Sequence, residues 1–118
     1  MEAYALHKGA IIKPRLARMT MDLVRGKDVK NARNILETTN TKASRLILKV
    51  LNSAVANAVN NFGADESKLV IKECFVNPGM VYKRIQFASR GNVDRHDKRT
   101  SHIKVVVTDN KVMEGENA

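Results

Sequence analysis

Between Pro78 and Thr100 the chain reads Gly79-Met80-Val81-Tyr82-Lys83-Arg84-Ile85-Gln86-Phe87-Ala88-Ser89-Arg90-Gly91-Asn92-Val93-Asp94-Arg95-His96-Asp97-Lys98-Arg99. Connections beyond about 12–15 residues are uncommon in compact domains, and they usually carry function or are disordered. This one is basic, with Lys83, Arg84, Arg90, Arg95, Lys98 and Arg99 set against Asp94 and Asp97. It is too polar for a core and too rich in Ile, Val, Phe and Tyr for a plain linker. Folded as a hairpin, each arm would reach roughly 35 Å at about 3.3 Å per residue. A two-stranded ribbon of that kind is marginal alone in water. It needs a partner, and its charge makes that partner polyanionic.

The runs on either side give the ribbon a body. Ala3 to His7 reads as a short strand with Tyr4 and Leu6 on one face. Pro14 suits the first turn of a helix, and Leu16, Met19, Leu23 and Val24 follow at helical spacing up to Arg25. Gly26 is placed to end that helix in a left-handed conformation. Asp28 is the expected cap of a second helix with Val29, Ala32, Ile35 and Leu36 on one side. Thr38 to Thr41 reads as a turn, with Thr41 capping a third helix from Lys42 to about Asn60. There Ala43, Leu46, Ile47, Val50, Leu51, Ala54, Val55 and Ala58 cover one broad side. Leu69 to Val76 and Ser101 to Thr108 read as strands, the latter with Ile103, Val105 and Val107 facing one way and His102, Lys104 and Thr108 the other.

The expected fold is therefore α+β: three helices on a small antiparallel sheet, with a long protruding β-hairpin. It makes a single domain with a body over about residues 1–78 and 100–109, a hairpin over about 79–99, and a frayed acidic tail over 110–118. A chain of 118 residues supports one modest core. Its net charge of +9 and isoelectric point near 10.0 point to nucleic acid or another anionic surface. No run approaches the roughly 18 apolar residues of a membrane span, and the first residues lack a signal-peptide core. A single cysteine, Cys74, excludes an internal disulfide and a multi-Cys zinc site. It reads as a small core residue in a cytoplasmic protein.

On a helical wheel Arg15, Arg18 and Arg25 fall within about an 80° arc, opposite the Leu16–Met19–Leu23 side. Asp22 partly neutralises the arc, and Lys27 and Lys30 extend it. Such runs are often merely solvated, yet an arginine fork also fits a phosphate. Tyr82 and Phe87 can stack on unpaired bases, although Tyr82 can equally pack at the hairpin root. Arg90-Gly91-Asn92 resembles a turn. Asp94, His96 and Asp97 raise a metal or nuclease reading, but every neighbour is a competing cation, so no metal is expected. No phosphate loop, nucleophile elbow or zinc helix appears; neither catalytic residues nor a cofactor is expected. A DNA-architectural ribbon with Phe87 or Val93 as a wedge is the alternative binding class.

Pro14-Arg15-Leu16-Ala17-Arg18 with Asp22-Leu23-Val24-Arg25-Gly26-Lys27 resembles the first helix of bacterial ribosomal large-subunit protein twenty-two. Asn52-Ser53-Ala54-Val55-Ala56-Asn57-Ala58 is similar to that family's long helix. Lys83-Arg84-Ile85 and Lys98-Arg99-Thr100-Ser101-His102-Ile103 resemble the two roots of its hairpin. The resemblance implies a body on the outer surface of the large subunit and a ribbon threading its RNA. Its tip, Phe87, Ala88, Ser89, Arg90, Gly91 and Asn92, would help to line the nascent-peptide tunnel. By the same resemblance RNA would be bound by Lys8, Lys13, Arg15, Arg18, Arg25 and Lys27 on the body. Lys83, Arg84, Arg90, Arg95, Lys98 and Arg99 would bind along the ribbon, with Ser101 and His102 at its root. The implied partners are large-subunit ribosomal RNA, neighbouring ribosomal proteins and the nascent peptide, with no membrane and a monomer off the ribosome. At the tip, Phe87-Ala88-Ser89 and Asn92-Val93 are less basic and more apolar than the family's usual run.

Overall fold

A computed structural model of the chain describes residues 2–87 and 93–109, with the backbone alone over 82–98. Three helices, α1 (Pro14–Asp22), α2 (Val29–Thr38) and α3 (Lys42–Phe62), accompany three strands, β1 (Glu2–Ala10), β2 (Val70–Phe87) and β3 (Val93–Thr108). The sheet is antiparallel in the order β1-β3-β2. This is the expected α+β architecture. Both hairpin strands are longer than side-chain alternation suggested: β2 and β3 pair from Val70 opposite Thr108 to Phe87 opposite Val93. The molecule measures 61 × 28 × 26 Å along its principal axes.

One face of the sheet meets the helices. Ala3 on β1, Ile71, Cys74 and Val76 on β2, and Ile103, Val105 and Val107 on β3 are all buried. Against them lies α3 with Ala43, Ile47, Val50, Leu51, Ala54, Val55 and Ala58. The small residues of its second half bring its backbone close to β1. Each large apolar side chain buried here contributes about 1.5–3 kcal/mol relative to exposure. The helix starts at a capping box, in which Thr41 accepts from the Ser44 N–H at 3.1 Å and Ser44 Oγ accepts from the Thr41 N–H at 3.3 Å. Asp28 stands at the start of α2 as expected, but its side chain makes no cap bond. Its backbone instead bridges to Val70.

The first helix requires a correction. Its buried residues are Ala17, Thr20 and Met21, with Val24 just beyond. Leu16, Met19 and Leu23 are exposed. The helix carries two apolar stripes, and the one formed by Ala17, Thr20, Met21 and the following Val24 faces the core. It also ends at Asp22, before Arg25; Gly26 (φ +77°) turns the chain toward α2 rather than capping α1.

The opposite face of the sheet has no helix over it among the described residues. Lys104 on β3 lies there between two rings, its Nζ 4.7 Å from the Tyr4 centroid and 5.8 Å from that of Phe75. A Glu2–Lys72 ion pair crosses the same face. It lowers the Glu2 pKa and raises that of Lys72, chiefly through the hydrogen bond they share.

β1 pairs with β3 from Thr108 back to Ser101 and then leaves it. Both outer strands slip register near that point, β1 between His7 and Ala10 and β2 between Pro78 and Val81. Gly9 (φ +73°) takes up the first slip in a conformation that side chains disfavour. Beyond Ser101, β2 and β3 run on as a two-stranded ribbon.

Candidate nucleic-acid interface

Arg15 and Arg18 stand on α1, with Arg25 and Lys27 just beyond it, and α1 lies along the outer edge of β2. An edge strand exposes unpaired carbonyl and N–H groups that natural proteins cover. Here the cover is specific. The Val29 N–H donates to the Leu69 carbonyl at 3.2 Å and the Ile71 N–H to the Lys27 carbonyl at 3.0 Å. Further along, Arg25 Nη2 donates to the Cys74 carbonyl at 3.0 Å and Arg18 Nε to the Val76 carbonyl at 3.2 Å. Pro78 falls next in the same alternate series, where its missing N–H leaves nothing unpaired. The order of these bonds directs the start of α1 toward the ribbon root.

Arg18 and Arg25 thus have a structural task that the helical wheel did not reveal. Arg25 also pairs with Asp22, and this contact raises its pKa despite some desolvation. Each arginine has five N–H donors. Arg18 commits one to the sheet edge, so its terminal nitrogens remain available to an acceptor from outside.

Arg15, Lys13, Lys27, Lys8 and Arg99 are all exposed. Lys13 sits at the start of α1, Lys8 in the β1 slip and Arg99 opposite Val81 at the base of the ribbon. Ser101 is different: it is fully buried and its hydroxyl donates to the Ile12 carbonyl at 2.7 Å, so it faces the interior. His102 is half-buried, and its Nδ1 accepts the Gly9 N–H at 3.1 Å, which leaves the proton on Nε2. The backbone sets Lys83 opposite Asp97, Arg84 opposite His96, Ile85 opposite Arg95 and Tyr82 opposite Lys98. Their side chains, that of Phe87, and the expected tip residues Ala88, Ser89, Arg90, Gly91 and Asn92 lie outside the described residues, as does the tail after Asp109. Asp94, His96 and Asp97 are likewise described in backbone only.

Lys104 was not among the expected interface residues, and its ammonium is committed to the two rings. Cys74, expected in the core, is buried; desolvation raises its pKa, and its thiol points to the Met21 carbonyl at 3.9 Å. Among the described residues no group of His, Cys, Asp and Glu is arranged to hold a metal, and no helix is long and apolar enough to cross a membrane.

A basic α+β body extended by a two-stranded ribbon is one form that ribosomal proteins take, and comparison with known proteins places the chain in that class. It belongs to the family of ribosomal protein L22p/L17e, whose model matches residues 5–108. Large ribosomal subunit protein uL22 of Fusobacterium nucleatum is 50% identical over 109 residues, spanning 92% of this chain and 98% of the relative. The uL22 of Mycoplasmopsis agalactiae is 51% identical over 105 residues, spanning 89% and 92%. That of Oceanobacillus iheyensis is 48% identical over 111 residues, spanning 94% and 98%. The chain is a structural ribosomal protein, of a class distinct from enzymes, and its place is the cytoplasmic ribosome.

Proposed function

We propose that the chain binds and organises large-subunit ribosomal RNA, with residues 87–92 contributing to the wall of the nascent-peptide tunnel. The body, residues 1–78 and 100–109, would rest on RNA through Arg15, Arg18, Arg25, Lys27, Lys8 and Lys13. The hairpin, residues 79–99, would be clamped at phosphates by Lys83, Arg84, Arg90, Arg95, Lys98 and Arg99. His102 Nε2–H is a donor at the root, whereas the buried Ser101 acts within the fold.

One observation carries this reading: past Ser101 the ribbon continues to Phe87 opposite Val93 with two strands only. Such a ribbon gains little from its own burial, and its cations fit a phosphate lattice. Affinity of this kind comes from counterion release and shape, with little base readout. Family membership favours this over a DNA-architectural role.

Sedimentation of a tagged copy with ribosomal subunits, washed at high salt, tests the proposal. Retention on the large subunit is expected. Release into the top fractions by the wash would overturn the threaded ribbon. Off the ribosome the chain should sediment as a monomer.

A further inference from the structure

At the ribbon end of the body a groove of about 390 Å³ opens between the start of α1 and the start of α3. Ile11, Leu16 and Met19 line it, with Lys13 and Lys42 at its sides. Leu23, just past the end of α1, stands four residues beyond Met19 and is exposed as well. These four apolar residues are between 47% and 62% exposed. Isolated apolar residues on a surface are ordinary, but a contiguous ridge beside a groove marks an interaction site.

We propose that this groove docks a segment of a neighbouring large-subunit protein that places a carboxylate beside one or two large apolar side chains. The inference rests on the chain's membership of the large subunit and goes beyond its RNA contacts.

Charge selects the carboxylate. The groove lies at the N-termini of two helices, α1 and α3, and neither has an acidic residue in its first turn. Both helix dipoles therefore turn their positive ends toward it. Lys13, at the start of α1, makes no side-chain cap bond. Lys42 Nζ donates to the Ile11 carbonyl at 2.5 Å, which holds its charge at the rim. The apolar lining selects protein. A phosphate seated there would meet the lysines but would desolvate against leucine and methionine without compensation. A second copy of the chain is disfavoured as well, because a two-fold contact apposes the same patch on both partners. Lys13 and Lys42 would then approach their own counterparts.

The test uses assembled subunits. A benzophenone amino acid replaces Met19 in the tagged chain, and large subunits carrying it are isolated by sedimentation and irradiated. The expected product is a single adduct that protease removes and ribonuclease does not. Its peptide should carry Asp or Glu within a few residues of Leu, Ile, Val, Met or Phe. Adding Lys42→Glu should lower the adduct yield per tagged chain about fivefold, as expected from about 1 kcal/mol of lost dipole and charge attraction. A ribonuclease-sensitive adduct would give the groove to RNA, and no adduct would leave it to solvent; either overturns the proposal. A peptide without carboxylates, or a yield that Lys42→Glu leaves unchanged, overturns the charge argument on which it rests. Retention of the unsubstituted chain after the salt wash reads the RNA-binding proposal separately.

Discussion

Gly79 lies against Thr100 so closely that a Cβ on the glycine would stand 2.6 Å from the threonine hydroxyl oxygen, with His102 Cε1 at 3.1 Å. That hydroxyl donates to the Met80 carbonyl at 2.6 Å, inside the register slip of β2. Across β3, the Gly9 N–H reaches His102 from the slip of β1. Both outer strands therefore bulge beside the same short stretch of the central strand, where three strands become two. Bulges bend a strand and increase its twist, so this junction sets the direction in which the ribbon leaves the body.

Gly79→Ala should consequently destabilise the protein by about 1–3 kcal/mol, the range for overpacking a filled site. Thr100→Ala alone should cost about 0.5–1.5 kcal/mol for its hydrogen bond. Urea denaturation of the double variant should show less loss than the sum, because removing Oγ1 makes room for the methyl group. Strict additivity would mean that the contact does not constrain the bulge.

Arg25 separates fold from charge. Arg25→Lys keeps the positive charge but cannot reach Asp22 and the Cys74 carbonyl with one planar fork. It should lower stability by about 1–2 kcal/mol, as expected for charge-assisted bonds at a half-exposed site, while leaving the salt dependence of RNA binding intact. Arg15→Ala should do the reverse. Its stability should stay within about 0.5 kcal/mol of the parent, as for other unpartnered surface sites, and its RNA affinity should fall. Paired thermal melts and filter binding distinguish the two patterns.

Much of the fold was legible from side chains because α3 and the body strands put apolar residues at one clear period. The faces of Ile103, Val105 and Val107 followed from that period, whereas the Thr41 cap and the Cys74 core position followed from residue type, since Lys72 and Glu73 interrupt both faces of β2. On α1 the period was ambiguous: Leu16–Met19–Leu23 and Ala17–Thr20–Met21–Val24 both repeat helically. The second set is the one buried, because Arg18 and Arg25 bond to the outer edge of β2 and fix which side of α1 turns to the core. Pairing past Pro78 is made by backbone groups, so the alternation of side chains could not measure its length. The edge-clamping roles of Arg18 and Arg25 depend on where α1 lands on the sheet, which no local pattern encodes. Ser101 was placed at the RNA-facing root by the family resemblance, but strand alternation turns it inward to Ile12.

Cys74 yields a pH prediction. Desolvation raises its pKa above the ordinary 9.0, with Arg25 opposing the shift. Its contribution to stability is complete below the thiol's unfolded value. Above that value the unfolded chain loses the proton first, so stability falls as pH rises. Denaturation midpoints should therefore decline as pH rises through and beyond that ordinary value, and Cys74→Ala should flatten that part of the decline. The native thiol should also resist alkylation at neutral pH until the protein unfolds. Rapid labelling without unfolding would contradict its burial.

The ribbon is tested most directly by salt. Arg84 stands opposite His96, Arg95 opposite Ile85 and Arg99 opposite Val81, so three alanine substitutions sample the ribbon from its base to the Ile85–Arg95 pair. If each arginine meets one phosphate, the triple variant loses three counterion-releasing contacts. The slope of log K against log salt should then become shallower by about 2, using the single-strand coefficient of about 0.7 per phosphate. Affinity should fall at low salt and converge with that of the parent chain as salt rises, since the lost term is electrostatic. A parallel drop at every salt concentration would mean that the substitutions damaged the fold, and circular dichroism on the same sample would show it. An unchanged slope would mean that these three arginines do not meet phosphate, and it would sink the proposal that they clamp the ribbon to RNA.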